Sequence, residues 1–184
     1  MTVQTQPLSG TFVADPAHSS FQFQVRHMGV SLFRASFADV EARLTAAPDG
    51  LRVEGVARAE SVSITAPAEF REHVVYGEDF FDAHRNPQIT VASDDVRLAE
   101  DGTVTARGTL TVRGVTRPVA ATGTYTPLVE DPYGTRRMAI ELSTTVDRRD
   151  WGLDWQMPLP KGGDALGYPV QIDAHLELLQ QAGR

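Results

Sequence analysis

Apolar and polar residues alternate with a period of two along most of this chain. In Phe21-Gln22-Phe23-Gln24-Val25-Arg26 both phenylalanines and the valine fall on one side. Val104, Ala106, Gly108, Leu110 and Val112 alternate with Thr103, Thr105, Arg107, Thr109, Thr111 and Arg113. Met138, Ile140, Leu142, Thr144 and Val146 form a third row. Val170, Ile172, Ala174, Leu176 and Leu178 form a fourth, set against Gln171, Asp173, His175 and Glu177. Weaker alternation runs through 51–64, 89–98 and 119–125. Successive side chains on a strand point to opposite faces, so these rows predict antiparallel strands with one dry and one wet face. About eight segments lie near 9–15, 19–29, 33–46, 51–64, 88–98, 103–113, 117–128 and 137–147, with a further one near 168–179.

Turn chemistry separates the segments. Pro48-Asp49-Gly50, Glu100-Asp101-Gly102 and Arg113-Gly114-Val115-Thr116 predict tight reversals, and Asp131-Pro132-Tyr133-Gly134 a longer one. Two stretches lack alternation. In 67–84, Thr65 is placed to cap a helix, Pro67 suits its first turn, and Phe70 and Val74 share a face. A short helix at about 66–78, ending near Gly77, is expected. The second stretch, 154–167, carries Pro158, Pro160, Gly162 and Gly163 and reads as a loop. No linker or repeat divides the chain, which predicts tails at 1–8 and 181–184 around one domain at 9–180.

Eight or more antiparallel strands tend to close or fold over, because open edges are a pairing hazard. Closure at eight leaves an interior just wide enough for side chains or one small ligand. A two-sheet sandwich fits the same alternation. Ala57, Ala59, Ala106, Gly108 and Ala174 on dry faces fill space poorly, which favours a cavity but also suits closely opposed walls.

Composition narrows the chemistry. The 184 residues carry a net charge of −7 and no cysteine, which excludes disulfides, thiolate metal sites and thiol catalysis. Without a run of Lys or Arg, neither nucleic acid nor an anionic membrane surface is an expected partner. No window approaches the roughly 20 apolar residues of a spanning helix. The start, Met1-Thr2-Val3-Gln4-Thr5-Gln6-Pro7, lacks a cationic-then-apolar leader, so a cytoplasmic location is expected. His18, His27, His73, His84 and His175 show no ligand-like spacing, and His18 before Ser19-Ser20 has no triad context, so no metal and no catalytic group is expected. Met1, Met28, Met138 and Met157 are too scattered for an adaptable binding stripe.

Three features admit two readings each. Asp147-Arg148-Arg149-Asp150 could clamp an anionic head group through its guanidinium forks, or pair internally at a strand end. Asp79 and Asp82, flanking Phe80-Phe81, could act as a general acid and base, or cap and bond a turn. His27 lies where its strand opens toward a mouth, and could meet a head group or hold a structural bond.

Several stretches together resemble the YceI-like family. They are Asp15 with His18-Ser19; Val25-Arg26-His27-Met28-Gly29 running on to Phe37; Arg71 followed by Asp79-Phe80-Phe81-Asp82 and Pro87; Leu110-Thr111-Val112-Arg113-Gly114-Val115-Thr116-Arg117-Pro118-Val119; and Asp147-Arg148-Arg149-Asp150-Trp151-Gly152-Leu153. The resemblance spans about residues 10–180. It implies an all-β fold: an eight-stranded antiparallel lipocalin-like barrel with a helical insertion near one mouth. It also implies that the apolar interior binds a long amphiphile such as a polyisoprenoid, an isoprenoid quinone or a fatty-acyl lipid, with a homodimer as a further possibility. Ala35 stands where the family usually has glycine, and Val74-Val75-Tyr76-Gly77 replaces its usual His-Leu-Arg-Ser, with a histidine displaced to His73. Those departures leave the roles of Val74 and Gly77 open.

Pattern and resemblance together predict a non-enzymatic carrier with no cofactor other than its bound lipid. The dry rows place Phe21, Phe23, Val25, Phe37, Leu110, Val112, Ile140, Leu142 and Ile172 on the cavity wall, with Phe80, Phe81 and Trp155 near its ends. His27 and Arg149 are the candidate head-group contacts. The alternatives are a lipid-modifying isomerase or hydrolase acting through His27, Asp79 or Arg149, and a ligand-free interaction barrel filled with side chains.

Overall fold

A computed structural model describes residues 8–182. The expected tail up to residue 7 and the last two residues of the C-terminal tail lie outside the described residues. The strands are β1 (Gly10–Ala14), β2 (Ser20–His27), β3 (Ser31–Phe37), β4 (Val40–Ala47), β5 (Gly50–Arg58), β6 (Gln88–Leu98), β7 (Thr103–Val112), β8 (Val115–Glu130), β9 (Arg136–Asp147) and β10 (Leu166–Gln180). One helix, α1 (Ala68–Tyr76), lies between β5 and β6, and short 3-10 turns follow β5 and β9.

These ten strands make an eight-lane closed barrel, because two lanes are broken. The long β10 pairs with β1 through Ala14↔Leu178 and with β2 through Ala174↔Phe21, so β1 and β2 share one side of it. On their other side β4 pairs with β1 and β3 with β2. The break between β3 and β4 falls at Ala38 and Asp39, where Ala38 N–H donates to Ser61 O at 3.0 Å and Arg58 N–H to Asp39 O at 3.0 Å. The remaining pairings run antiparallel in order from β4 to β10, and closure leaves one free edge, the outer side of β3, paired only by the Phe37↔Val62 bridge.

The turn residues act largely as their chemistry dictates. Arg113 and Gly114, at φ 52° and 71°, form a two-residue reversal whose positive dihedrals match the strand twist. Gly108 faces the bulge of β6 between Ser93 and Asp95, and a Cβ there would lie 2.1 Å from Ala92 O. That approach admits glycine alone. At the helix the expected Thr65 cap does not form. Pro67 occupies the cap position without a side-chain bond, because the helix begins three residues beyond the threonine.

The inward rows sort into two halves along the barrel axis. At one end Phe12, Leu44, Val104, Met138, Ile140, Leu176 and Leu178 form a solid core. At the other, α1 packs over the seam between β3 and the segment that follows β5: Val74 and Val75 pack on Ala35, Ala59, Val62, Ile64 and Ala83, with Phe23, Phe37 and Phe81 against them. A third cluster, Leu110, Val112 and Trp151, anchors the turn after β9, where Trp151 Nε1–H donates to Leu110 O at 3.1 Å.

A half-barrel cavity and its mouth

Between the solid end and the helical end lies a cavity of about 840 Å³. Mid-height residues leave it open by being small: Gly55, Ala57, Ala106, Gly108, Ala121 and Ala174 all lie on its wall. The wall is nearly all hydrocarbon, drawn from the dry faces of β2, β3, β5, β6, β7, β8, β9 and β10. Two of its hydroxyls are already committed to backbone. Ser93 Oγ–H donates to Arg107 O at 2.6 Å, and Thr144 Oγ1–H to Ala120 O at 2.7 Å.

The structure places Phe21, Phe23, Val25, Phe37, Phe80, Phe81, Leu110, Val112, Leu142, Trp155 and Ile172 on this wall. Ile140 is not among them. It is 1% exposed and belongs to the solid end, one step beyond Leu142 on the same face. Of the head-group candidates, His27 lines the mouth but Arg149 does not. The 3-10 turn after β9 swings Arg149 outward, where its guanidinium grips both Asp147 oxygens and lies 4.1 Å over the Tyr168 ring. The Arg149 hydrogen bond holds the Asp147 carboxyl at about 2. Arg148, the preceding residue, is the arginine on the wall. Ala59, read as a small space-leaving residue, instead packs under the helix.

Neither Asp79 nor Asp82 reaches the cavity wall. Asp82 is 7% exposed, and its carbonyl accepts from Arg85 and Asn86 N–H in the turn after the helix. An acid–base pair acting on cavity contents has no access from there.

The mouth holds residues that periodicity could not gather. Met28, in the β2–β3 turn, donates its N–H to Ala165 O at 2.8 Å, and Ala165 N–H donates to Met157 O at 3.0 Å. Two methionines far apart in sequence thus flank one residue, and both line the opening while half-exposed. Val30 at the turn and Phe70 on α1 add exposed apolar surface. His73 is wedged edge-on between Phe80, at 4.9 Å between ring centroids, and Trp155, at 6.0 Å. Its neighbour in the replaced motif, Val74, is buried against the core of the helical end, so this position packs and the shifted histidine faces the opening.

At the opposite end Asp15, His18 and Glu177 bring ligand-type atoms within 4.8 Å of one another. Arg137 already bridges Glu177 and Asp131 there, which makes the group an ion-pair network. The Asp15 hydrogen bond raises the His18 pKa, and the same bond lowers that of Asp15. No described helix is long and apolar enough to cross a membrane.

Fold and cavity together define a closed antiparallel barrel that is hollow over one half and reached from one end. The YceI-like domain model matches residues 12–178, and the chain belongs to that family. A UPF0312 protein of Pseudomonas fluorescens is 31% identical over 157 residues, covering 80% of this chain and 78% of its own length. A UPF0312 protein of Pseudomonas putida is 25% identical over 167 residues, with 89% and 82% covered. Among solved structures, BcnA of Burkholderia cenocepacia matches with TM-score 0.68 at 19% identity over 91% of this chain and 99% of its own. A polyisoprenoid binding domain from Saccharophagus degradans matches with TM-score 0.68 at 14% identity over 95% and 100%. At those identities the likeness is one of fold.

Proposed function

We propose that this protein is a non-enzymatic carrier that holds one long apolar amphiphile in the hollow half of its barrel, tail inward and head at the mouth. The observation that carries this reading is the pairing of an 840 Å³ hydrocarbon-walled cavity with polar groups gathered at one opening. Volumes of this order suit single small ligands. Burial of tail surface supplies about 2.5 kcal/mol per 100 Å² removed from water, so affinity needs few polar contacts. The solid end sets the depth available, and therefore the tail length. The fold shared with the polyisoprenoid binding domain of Saccharophagus degradans supports an isoprenoid tail, and a fatty-acyl tail fits the same wall.

Passive binding is favoured over catalysis by the wall itself. Its Ser93 and Thr144 hydroxyls bond backbone carbonyls, and Asp79 and Asp82 stand off it. Among the described residues no wall hydroxyl is hydrogen-bonded to a histidine or a carboxylate, so the arrangement that activates a nucleophile is not assembled there. The test is native mass spectrometry of the purified protein with solvent extraction, followed by incubation of the delipidated protein with the recovered lipid. One unmodified lipid per chain is expected. A barrel that yields no lipid and takes up no apolar probe refutes the reading, and a converted lipid transfers it to an enzyme.

A further inference from the structure

We propose that the cavity selects amphiphiles whose head group is an oxyanion, carboxylate or phosphate, and that Arg148 is the residue that recognises it. This inference rests on the carrier reading above and specifies its ligand class. Arg148 is 5% exposed and lies on the cavity wall. Its Nε–H donates to Gly167 O at 2.9 Å, its Nη2 to Trp155 O at 2.8 Å and Leu166 O at 3.2 Å, and its Nη1 to Leu153 O. Among the described residues no carboxylate forms an ion pair with it: the Tyr168 ring lies 4.8 Å from its guanidinium carbon, and Asp147 and Asp154 act on it only at longer range. Asp147, next in the chain, is taken by Arg149, and Arg137 at the far end bridges Asp131 and Glu177.

Four carbonyls satisfy donors without supplying charge. A guanidinium stays protonated even when buried and has five N–H groups. Four bonds therefore leave one Nη1 hydrogen without a protein acceptor among the described residues. Removing a cation from water without a counter-charge is costly, and an arriving oxyanion relieves that cost in surroundings of low polarity. A neutral alcohol supplies an acceptor but no charge. The same four bonds tie residues 153, 155, 166 and 167 around the guanidinium, so it is held in place before any ligand arrives. His27 pairs with Leu166 across the neighbouring strand and lines the same opening, where its ring offers a further N–H donor.

The experiment titrates delipidated protein carrying a fluorescent apolar probe with matched pairs at pH 8 and low salt: palmitic acid against hexadecan-1-ol, and farnesyl phosphate against farnesol. In at least one pair the anion is expected to displace the probe at least about tenfold more tightly than its alcohol, the yield of one hydrogen bond to a charged group. A preference in one pair alone identifies the oxyanion. Arg148→Met is expected to remove the preference while both alcohols still bind. If that variant does not fold, the wild-type comparison decides alone. Equal affinity within both pairs overturns the inference and leaves the carrier reading standing. Failure of all four ligands to displace the probe overturns the carrier reading itself.

Discussion

Two isoleucines on adjacent strands test the division of the barrel into a solid and a hollow half. Ile140 on β9 is 1% exposed and sits among Phe12, Met138, Leu176 and Leu178. Ile172 on β10 also points inward, but it lines the cavity. Truncating Ile140 to alanine deletes three carbons and leaves a void that rigid neighbours cannot fill, at a cost of about 3–4 kcal/mol. Truncating Ile172 enlarges a space already open, so only part of the transfer free energy is lost, about 1 kcal/mol. At about 2–4 °C per kcal/mol for a domain of this size, Ile140→Ala should melt roughly 6–16 °C lower and Ile172→Ala only a few degrees lower. The assay is thermal and urea unfolding of delipidated protein by circular dichroism, alongside probe titration. Probe affinity should change in Ile172→Ala and hold in Ile140→Ala. Equal destabilisation, or a larger loss at Ile172, refutes the half-hollow architecture.

Three further expectations follow from single contacts. Ala174 on β10 lies between Phe21 and Leu142 at mid-height, so Ala174→Trp should fold while shifting uptake toward shorter tails, read by competition across a chain-length series. Trp151→Phe removes the indole N–H that supplements the ladder bond at the Leu110 carbonyl, at a site 3% exposed, and should lower the unfolding free energy by about 1 kcal/mol in urea titration. The Asp15–His18 pair should stabilise the fold most between the ordinary values of its members, 3.8 and 6.5. His18, raised, contributes below 6.5 and loses that as pH rises through its folded value; Asp15, lowered, contributes above 3.8 and loses that as pH falls through its own. NMR titration should place His18 above its ordinary value in the wild type and nearer to it in Asp15→Asn; an unmoved His18 contradicts the pairing.

Which face of each strand is dry could be read from period-two rows, since alternation encodes direction across the sheet. Depth along the barrel could not. Ile140 and Leu142 share one face of β9, yet one lies in the solid end and the other on the cavity wall, because pairing with Leu176 and Ala174 sets them at different heights. Arg148 and Arg149 are consecutive, and only the tight turn after β9 decides which guanidinium turns inward. Met28 and Met157 looked scattered because the backbone bonds through Ala165 that join them are tertiary. Phe33 and Val91, wall residues absent from the predicted lining, continue rows that were visible beside Val25 and Ile89, and Val119 begins the weak alternation that runs to Tyr125. Val74 and Val75 are both buried although adjacent, so no single-face pattern marks them.

The hollow is a consequence of where large and small residues fall, and it costs the fold little. On β7 the inward row reads Val104, Ala106, Gly108, Leu110, Val112; on β10, from the other direction, Leu178, Leu176, Ala174, Ile172, Val170. Bulk meets bulk at the solid end, smallness faces smallness at mid-height, and Phe23, Phe33 and Phe37 meet the helix beyond. Aromatic pairs such as Phe23 with Phe37, 5.8 Å between centroids, hold that end together without entering the middle. Stability therefore resides in three packed clusters that require no ligand, and the space between them is preformed. A ligand that enters adds burial to a structure already closed, so its effect on melting should grow with its free concentration as RT ln(1 + [L]/Kd), with no threshold of the kind that obligatory co-folding would impose.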